Sequence, residues 1–166
     1  AALSLVGDLL KGVVAVLLSQ LFASMLKAGF APDNEVKYIG FVAGFFAILG
    51  HVFPIYYGFK GGKGVLVGVA SFLPIDPRVF FALLILFIVI FAITKYVSIS
   101  SILGAALSPI AIFLMSIMVD GEKFGRSLLY LLLCLPMAAM VVYMHRSNME
   151  RLMNGTESKF TFKFNK

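Results

Sequence analysis

Residues 79–93 read VFFALLILFIVIFAI, without one polar side chain. With Arg78 and Lys95 at its ends the block covers 78–95, and a helix over it is apolar on every face. Such a helix lies in a large core or in lipid. At 1.5 Å per residue it runs about 27 Å, close to the ~30 Å hydrocarbon core of a bilayer. Its surroundings decide between the two. Further apolar blocks follow at 99–118 and 124–144, and others precede it at 3–25, 38–56 and 64–74. The chain has 166 residues, 61% hydrophobic and only 13% charged, about half the ~25% of soluble domains. Mean hydropathy is +1.01. So few charges cannot cover a water-soluble surface of this size. The sequence predicts one all-α unit over 1–166, a polytopic helical membrane protein with about six transmembrane segments. Pro109 and Pro136 fall inside blocks, where membrane helices tolerate them. Pro54 interrupts the end of the second block. The third, GVLVGVASFLP (64–74), is short and reads equally as a tilted crossing helix or a re-entrant piece.

Net charge is +6. A nucleic-acid binder would carry it on a soluble face with interleaved aromatics; here it sits at the ends of apolar blocks, so no nucleic-acid partner is expected. Let all six blocks cross and the basic tail, 145–166, lie in the cytoplasm. Lys11, Lys60, Lys63, Lys95, Arg146, Arg151, Lys159, Lys163 and Lys166 then share the cytoplasmic side. Lys27, Lys37, Arg78, Lys123 and Arg126 fall outside, with Asp33, Glu35, Asp76, Asp120 and Glu122. Nine basic residues against five satisfy the positive-inside rule. The first block has no basic stretch ahead of it and does not read as a cleavable signal peptide. Cys134, the only cysteine, lies inside an apolar block and reads as packing.

The topology gathers GDLLKG (7–12), GFKGGKG (58–64), KYVSISS (95–101) and HRSNMERL (145–152) at one membrane face. GFKGGKGV (58–65) is not a nucleotide phosphate loop. Tyr57 stands where its first glycine belongs, and Gly64 replaces its Ser or Thr. Two readings fit it. Gly61, Gly62 and Gly64 can turn backbone N–H groups toward an anion, beside Lys60, Lys63 and the N-terminus of the following helix. Alternatively, it is a flexible basic loop. Asp8 and Lys11 share a helix face, either as a plain ion pair or with Asp8 orienting Lys11 toward the anion. His145, Asn148 and Arg151 recur on one face of the tail, which reads as a ligand face or as a lipid-touching helix. His51 and His145 are candidate bases or helix-end hydrogen bonders. Ser98, Ser100 and Ser101 can donate to phosphate. No G-x-S-x-G elbow, H-E-x-x-H or Cys/His cluster is present, so no serine nucleophile, metal or cofactor is expected. The residues alone fit an enzyme acting on a phosphorylated small molecule, or a transporter or binding protein for an organic phosphate.

DLLKG (8–12), GHVFPIYYGFKGGKGV (50–65), KYVSISSI (95–102) and YMHRSNMERLMNGTE (143–157) occur in the order and spacing of one family. Over essentially the whole chain, the sequence resembles the bacterial acyl-phosphate-dependent glycerol-3-phosphate acyltransferases. The resemblance implies a seven-helix inner-membrane enzyme with a cytoplasmic active site. It implies transfer of a fatty acyl group from acyl phosphate to the sn-1 hydroxyl of glycerol-3-phosphate, yielding lysophosphatidic acid and phosphate. It also implies a preceding helix with an S-G-N-x-G-A-T-N motif, which this sequence does not contain; the domain is therefore expected to be N-terminally incomplete. Lys63 and His145 are the expected catalytic residues. Lys11, His51, Lys60, Gly61, Gly62, Gly64, Ser98, Ser101, Arg146, Asn148 and Arg151 are expected to bind substrate phosphates, with Asp8, Gly12 and Glu157 in support. The expected partners are glycerol-3-phosphate, acyl phosphate and membrane lipid.

Overall fold

The computed structural model describes residues 2–26 and 35–160. Of the charges counted above, Lys27, Asp33, Lys163 and Lys166 lie outside the described residues, as does the side chain of Glu35. The described chain is helical: α1 (Ala2–Leu26), α2 (Glu35–Val52), α3 (Val65–Ile75), α4 (Pro77–Thr94), α5 (Val97–Leu114), α6 (Phe124–Met144) and α7 (Arg146–Met153). A π-helical turn, Met115–Val119, continues α5.

Local chemistry sets the boundaries. Asp76 caps α4 by accepting a hydrogen bond from the Arg78 N–H, with Pro77 at the first helical position. Lys95 ends α4 in the left-handed region, φ 62°, and its N–H closes on the Phe91 carbonyl. Gly64, φ 77°, opens α3 in a conformation that favours glycine.

Among the described residues, five helices, including α4, are long and apolar enough to cross a membrane. The third block differs. Its 11 residues make a helix of about 16 Å, too short to cross ~30 Å alone. It nevertheless carries the chain from one end of the bundle to the other. Gly64 packs beside Ile48 at the end of α2, and Ile75 lies beside Gly40 near its start. Protein, rather than lipid, surrounds it. Val67, Gly68, Ala70, Ser71, Phe72 and Ile75 are buried, whereas only Val79 and Leu83 of α4 are. Close approach of α1 and α3 depends on Gly12, where a Cβ would strike the Val67 carbonyl. Gly12 therefore serves helix packing and lines neither cavity described below. Small residues at such contacts are usual in membrane bundles.

The two ends differ in charge chemistry. At one end Lys37 Nζ lies 3.2 Å from Asp76 and 3.7 Å from Asp120, and Arg78 bridges the same carboxylates at 2.7 and 2.6 Å. The opposite end holds Asp8, Lys11, His51, the 53–64 loop and His145, as the alternation of segments predicts.

Candidate active site

Two cavities open at that second end, both lined by Lys63, Val65 and Leu66. The wider, about 1570 Å³, is lined by Asp8, Lys11, His51, Lys60, Gly61, Gly62 and Gly64. The narrower, about 840 Å³, lies between α3, α4, α5 and α6 under the tail. Ser98, Ser101, His145, Asn148 and Glu157 line its head. The expected residues therefore form two compartments rather than one pocket.

In the wide cavity, Asp8 Oδ1 is 3.3 Å from both Lys11 Nζ and His51 Nδ1. The glycine loop folds back onto His51. A Cβ on Gly61 would collide with the His51 carbonyl, and one on Gly62 with its imidazole ring. Gly62 has no positive φ; of the three expected anion-loop glycines only Gly64 does. The need at Gly62 is therefore space. The Gly61 N–H is committed to the Val52 carbonyl at 3.1 Å, so it is not an anion donor as expected. The N–H groups of Gly62, Lys63 and Gly64 make no hydrogen bond among the described residues, and with the first turn of α3 they are donors open to an anion.

In the narrow cavity His145 is only 2% exposed. Its Nδ1 pairs with the Val141 carbonyl at 2.7 Å. Nδ1 therefore carries the proton, and Nε2 is the acceptor of the neutral ring. Burial pushes its pKa below the ordinary value; the Val141 hydrogen bond opposes this and the Lys63 charge adds to it. Burial also lowers the pKa of Lys63, against the Glu157 charge. Glu157 accepts hydrogen bonds from Asn148 Nδ2 and Arg151 Nε, both 2.7 Å. The Asn148 bond foremost, aided by the nearby Ser98 hydroxyl and by Arg151, holds its carboxyl down at about 2. Ser98 lies close enough to Glu157 to favour its charge, but not in hydrogen-bonding geometry. Ser98 Oγ and Asn148 Oδ1 are both buried without a partner. Such groups normally find one. One offers a proton and the other accepts one, as a hydroxylated or phosphorylated ligand requires.

Other expected residues stand apart. The Ser101 hydroxyl lines the cavity, but its proton is committed to the Val97 carbonyl at 2.9 Å. Arg146 lies over the Tyr143 ring at 4.6 Å and lines neither cavity. Arg151 acts through Glu157. The tail closes the cavity: the Phe160 N–H reaches the Lys95 carbonyl at 2.9 Å, and Lys159 covers the Tyr96 ring. The sequence reading missed this cover. It also missed the apolar depth of the cavity, although Ser100, Gly104 and Ser108 recur every four residues on α5.

The fold and this paired site define a multi-pass helical membrane protein with a basic, amide-lined basin beside a narrow chamber, polar at its mouth and apolar below. A family model described as "Glycerol-3-phosphate acyltransferase" matches residues 1–155. The glycerol-3-phosphate acyltransferase of Clostridioides difficile strain 630 is 37% identical over 158 residues, 95% of this chain and 70% of that one. That of Geobacter sulfurreducens is 39% identical over 157 residues, 95% and 71% of the two chains. The crystal structure of PlsY (YgiH), an integral membrane glycerol 3-phosphate acyltransferase, in its lysophosphatidic acid form, aligns with TM-score 0.73 at 28% identity, covering 96% of this chain and 72% of that one. The glycerol 3-phosphate form aligns at 0.57 and 23% identity, a likeness of fold, over 95% and 94%. The chain belongs to the glycerol-3-phosphate acyltransferase family.

Proposed function

We propose that this protein transfers a fatty acyl group from acyl phosphate to the sn-1 hydroxyl of glycerol-3-phosphate, releasing lysophosphatidic acid and phosphate. The work lies at the cytoplasmic face of a bacterial inner membrane and begins phospholipid synthesis. Residues 145–166 are the cytoplasmic tail of its single domain. Family membership supports the acceptor, and nine basic residues against five support the face. The observation that carries the chemistry is the pair of buried, unpartnered atoms, Ser98 Oγ and Asn148 Oδ1, above an apolar chamber. A phosphate fits the basin of Lys11, Lys60 and the Gly62–Gly64 amides, while the acyl chain fits below.

The acceptor hydroxyl oxygen attacks the acyl carbonyl carbon. A C–O bond forms there, and the bond from that carbon to the phosphate oxygen breaks. The hydroxyl proton passes to His145 Nε2 and on to the departing phosphate. Lys63, shared by both cavities, stabilises charge on the carbonyl and phosphate oxygens. Preorganised donors of this kind are typically worth ~3–4 kcal/mol each. The donor is already activated, so positioning replaces a covalent nucleophile.

The transporter reading requires a polar path to the far end. Instead Phe41, Ile75, Val79 and Ile112 close the bundle beneath the chamber, each at most 4% exposed. The test is the full-length protein in membranes, given acyl phosphate and glycerol-3-phosphate. Equal amounts of phosphate and 1-acyl product are expected. Glycerol-3-phosphate-independent phosphate release, or acylation only from a thioester donor, would overturn the donor assignment.

A further inference from the structure

The narrow chamber is long as well as deep. From Ser101 to Ser108 along α5, both lining residues, the helix descends about 10 Å. From His145 to Met137 along α6 it descends about 12 Å. Phe72, Leu83 and Met137 are buried at its floor. An acyl chain filling one leaflet extends about 15 Å, half the hydrocarbon core, so the chamber holds most of one. Gly104 stands in the wall, one turn below Ser101. A Cβ built on it meets nothing within 4 Å, so a side chain there would enter open space. Glycine weakens a helix interior, and neither a positive φ nor a close helix contact requires it here. Above it lie the two unpartnered polar atoms of the chamber head, Ser98 Oγ and Asn148 Oδ1.

We infer that Gly104 gauges acyl-chain length: its missing side chain lets the donor's chain pass the first helical turn below the reacting carbonyl. This rests on the acyl-phosphate reading above. In Gly104→Leu the leucine fills the passage and cuts off the lower ~6 Å, the four residues down to Ser108. Each methylene refused that burial costs about fourfold in kcat/KM.

The test compares butyryl, octanoyl, decanoyl and palmitoyl phosphate in the full-length protein. The readout is the ratio of kcat/KM for decanoyl to butyryl donor. In Gly104→Leu that ratio is expected to fall by at least about 100-fold, and by less in Gly104→Ala. Gly125→Leu is the control, the same change at an exposed position outside both cavities; its ratio stays at the wild-type value. Butyryl transfer itself reports that each variant is folded. An unchanged ratio in Gly104→Leu, or equal losses for all donors, would overturn the gauge. Wild-type protein inert with every acyl phosphate would instead overturn the donor reading, and the gauge with it.

Discussion

Glu157→Gln removes one charge and almost no volume, and its consequence can be worked from two bonds. Glu157 receives Asn148 Nδ2 and Arg151 Nε, each at 2.7 Å. The Arg151 side chain is 44% exposed, so water and salt screen that bond and little is assigned to it. The Asn148 bond is half-buried and less screened. A hydrogen bond to a charged group contributes roughly 1.5–3 kcal/mol and a neutral one about 0.5–1.5. The substitution should therefore cost about 1–1.5 kcal/mol of Asn148 orientation. If that falls on the transition state, kcat/KM drops about fivefold to tenfold. The pH dependence has a definite sign. A carboxyl held at about 2 from an ordinary 4.5 contributes stability above the ordinary value and loses it only as pH falls toward 2. The wild-type to Glu157→Gln ratio should thus stay level from about pH 5 to 8. The assay is initial-rate phosphate release in membranes across that range. Activity within twofold of wild type throughout, or a loss that varies with pH inside it, would refute the reasoning.

Lys63→Ala should abolish turnover, because this side chain lies in both cavities. Lys37→Ala, within the ion cluster at the far end, should lower thermal stability and leave kcat nearly intact; equal losses of phosphate release from the two would sink the assignment. Gly62→Ala adds a methyl that collides with the His51 ring and should cost on the order of 10²-fold by displacing the loop, so normal KM and kcat would show the loop to be merely a basic linker. His145→Asn should lose 10²- to 10⁴-fold in kcat. Burial lowers the His145 pKa, so the neutral, proton-accepting form persists below pH 6.5; the wild-type acid limb should fall there and vanish in the variant. Retention of more than about a tenth of kcat would make His145 a positioning residue.

The membrane fold was legible because the long blocks are predominantly apolar, 79–93 on every face. The alternation of sides was legible from charge, and the structure brings Lys37, Asp76, Arg78 and Asp120 together at one end as that alternation requires. Residue types at the site were legible too, since lysine, histidine and asparagine stand out against an apolar background. Their division into two cavities was not, because it depends on where the chain folds back. Gly62 shows this: sequence indicates that glycine is needed, but only the packed His51 ring distinguishes a need for space from a need for φ. Gly61 shows the converse, its N–H consumed by the Val52 carbonyl. The chamber escaped because its signal is missing side chains, and the tail cover because Lys95 and Phe160 are far apart in sequence.

The shortness of α3 explains why the site is placed where it is. At about 16 Å against about 27 Å for an 18-residue helix such as α2, it is inset from both ends of the bundle. At the far end, Lys37, Asp76, Arg78 and Asp120 fill the inset with mutually satisfied charges, and Asp76 is 2% exposed. At the near end the inset is left open, and Gly64 begins α3 beside Ile48 and Val52 rather than above them. The N-terminus of α3 and Lys63 therefore lie below the mouth of the bundle, where partial burial lowers the lysine pKa although its side chain still reaches water. A charge there acts more strongly on a developing oxyanion than one in open water. It also stands at the head of the narrow chamber, where the proposed acyl chain would end. Lengthening α3 by a turn would lift Lys63 away from the chamber head and part it from the acyl carbonyl proposed to react there.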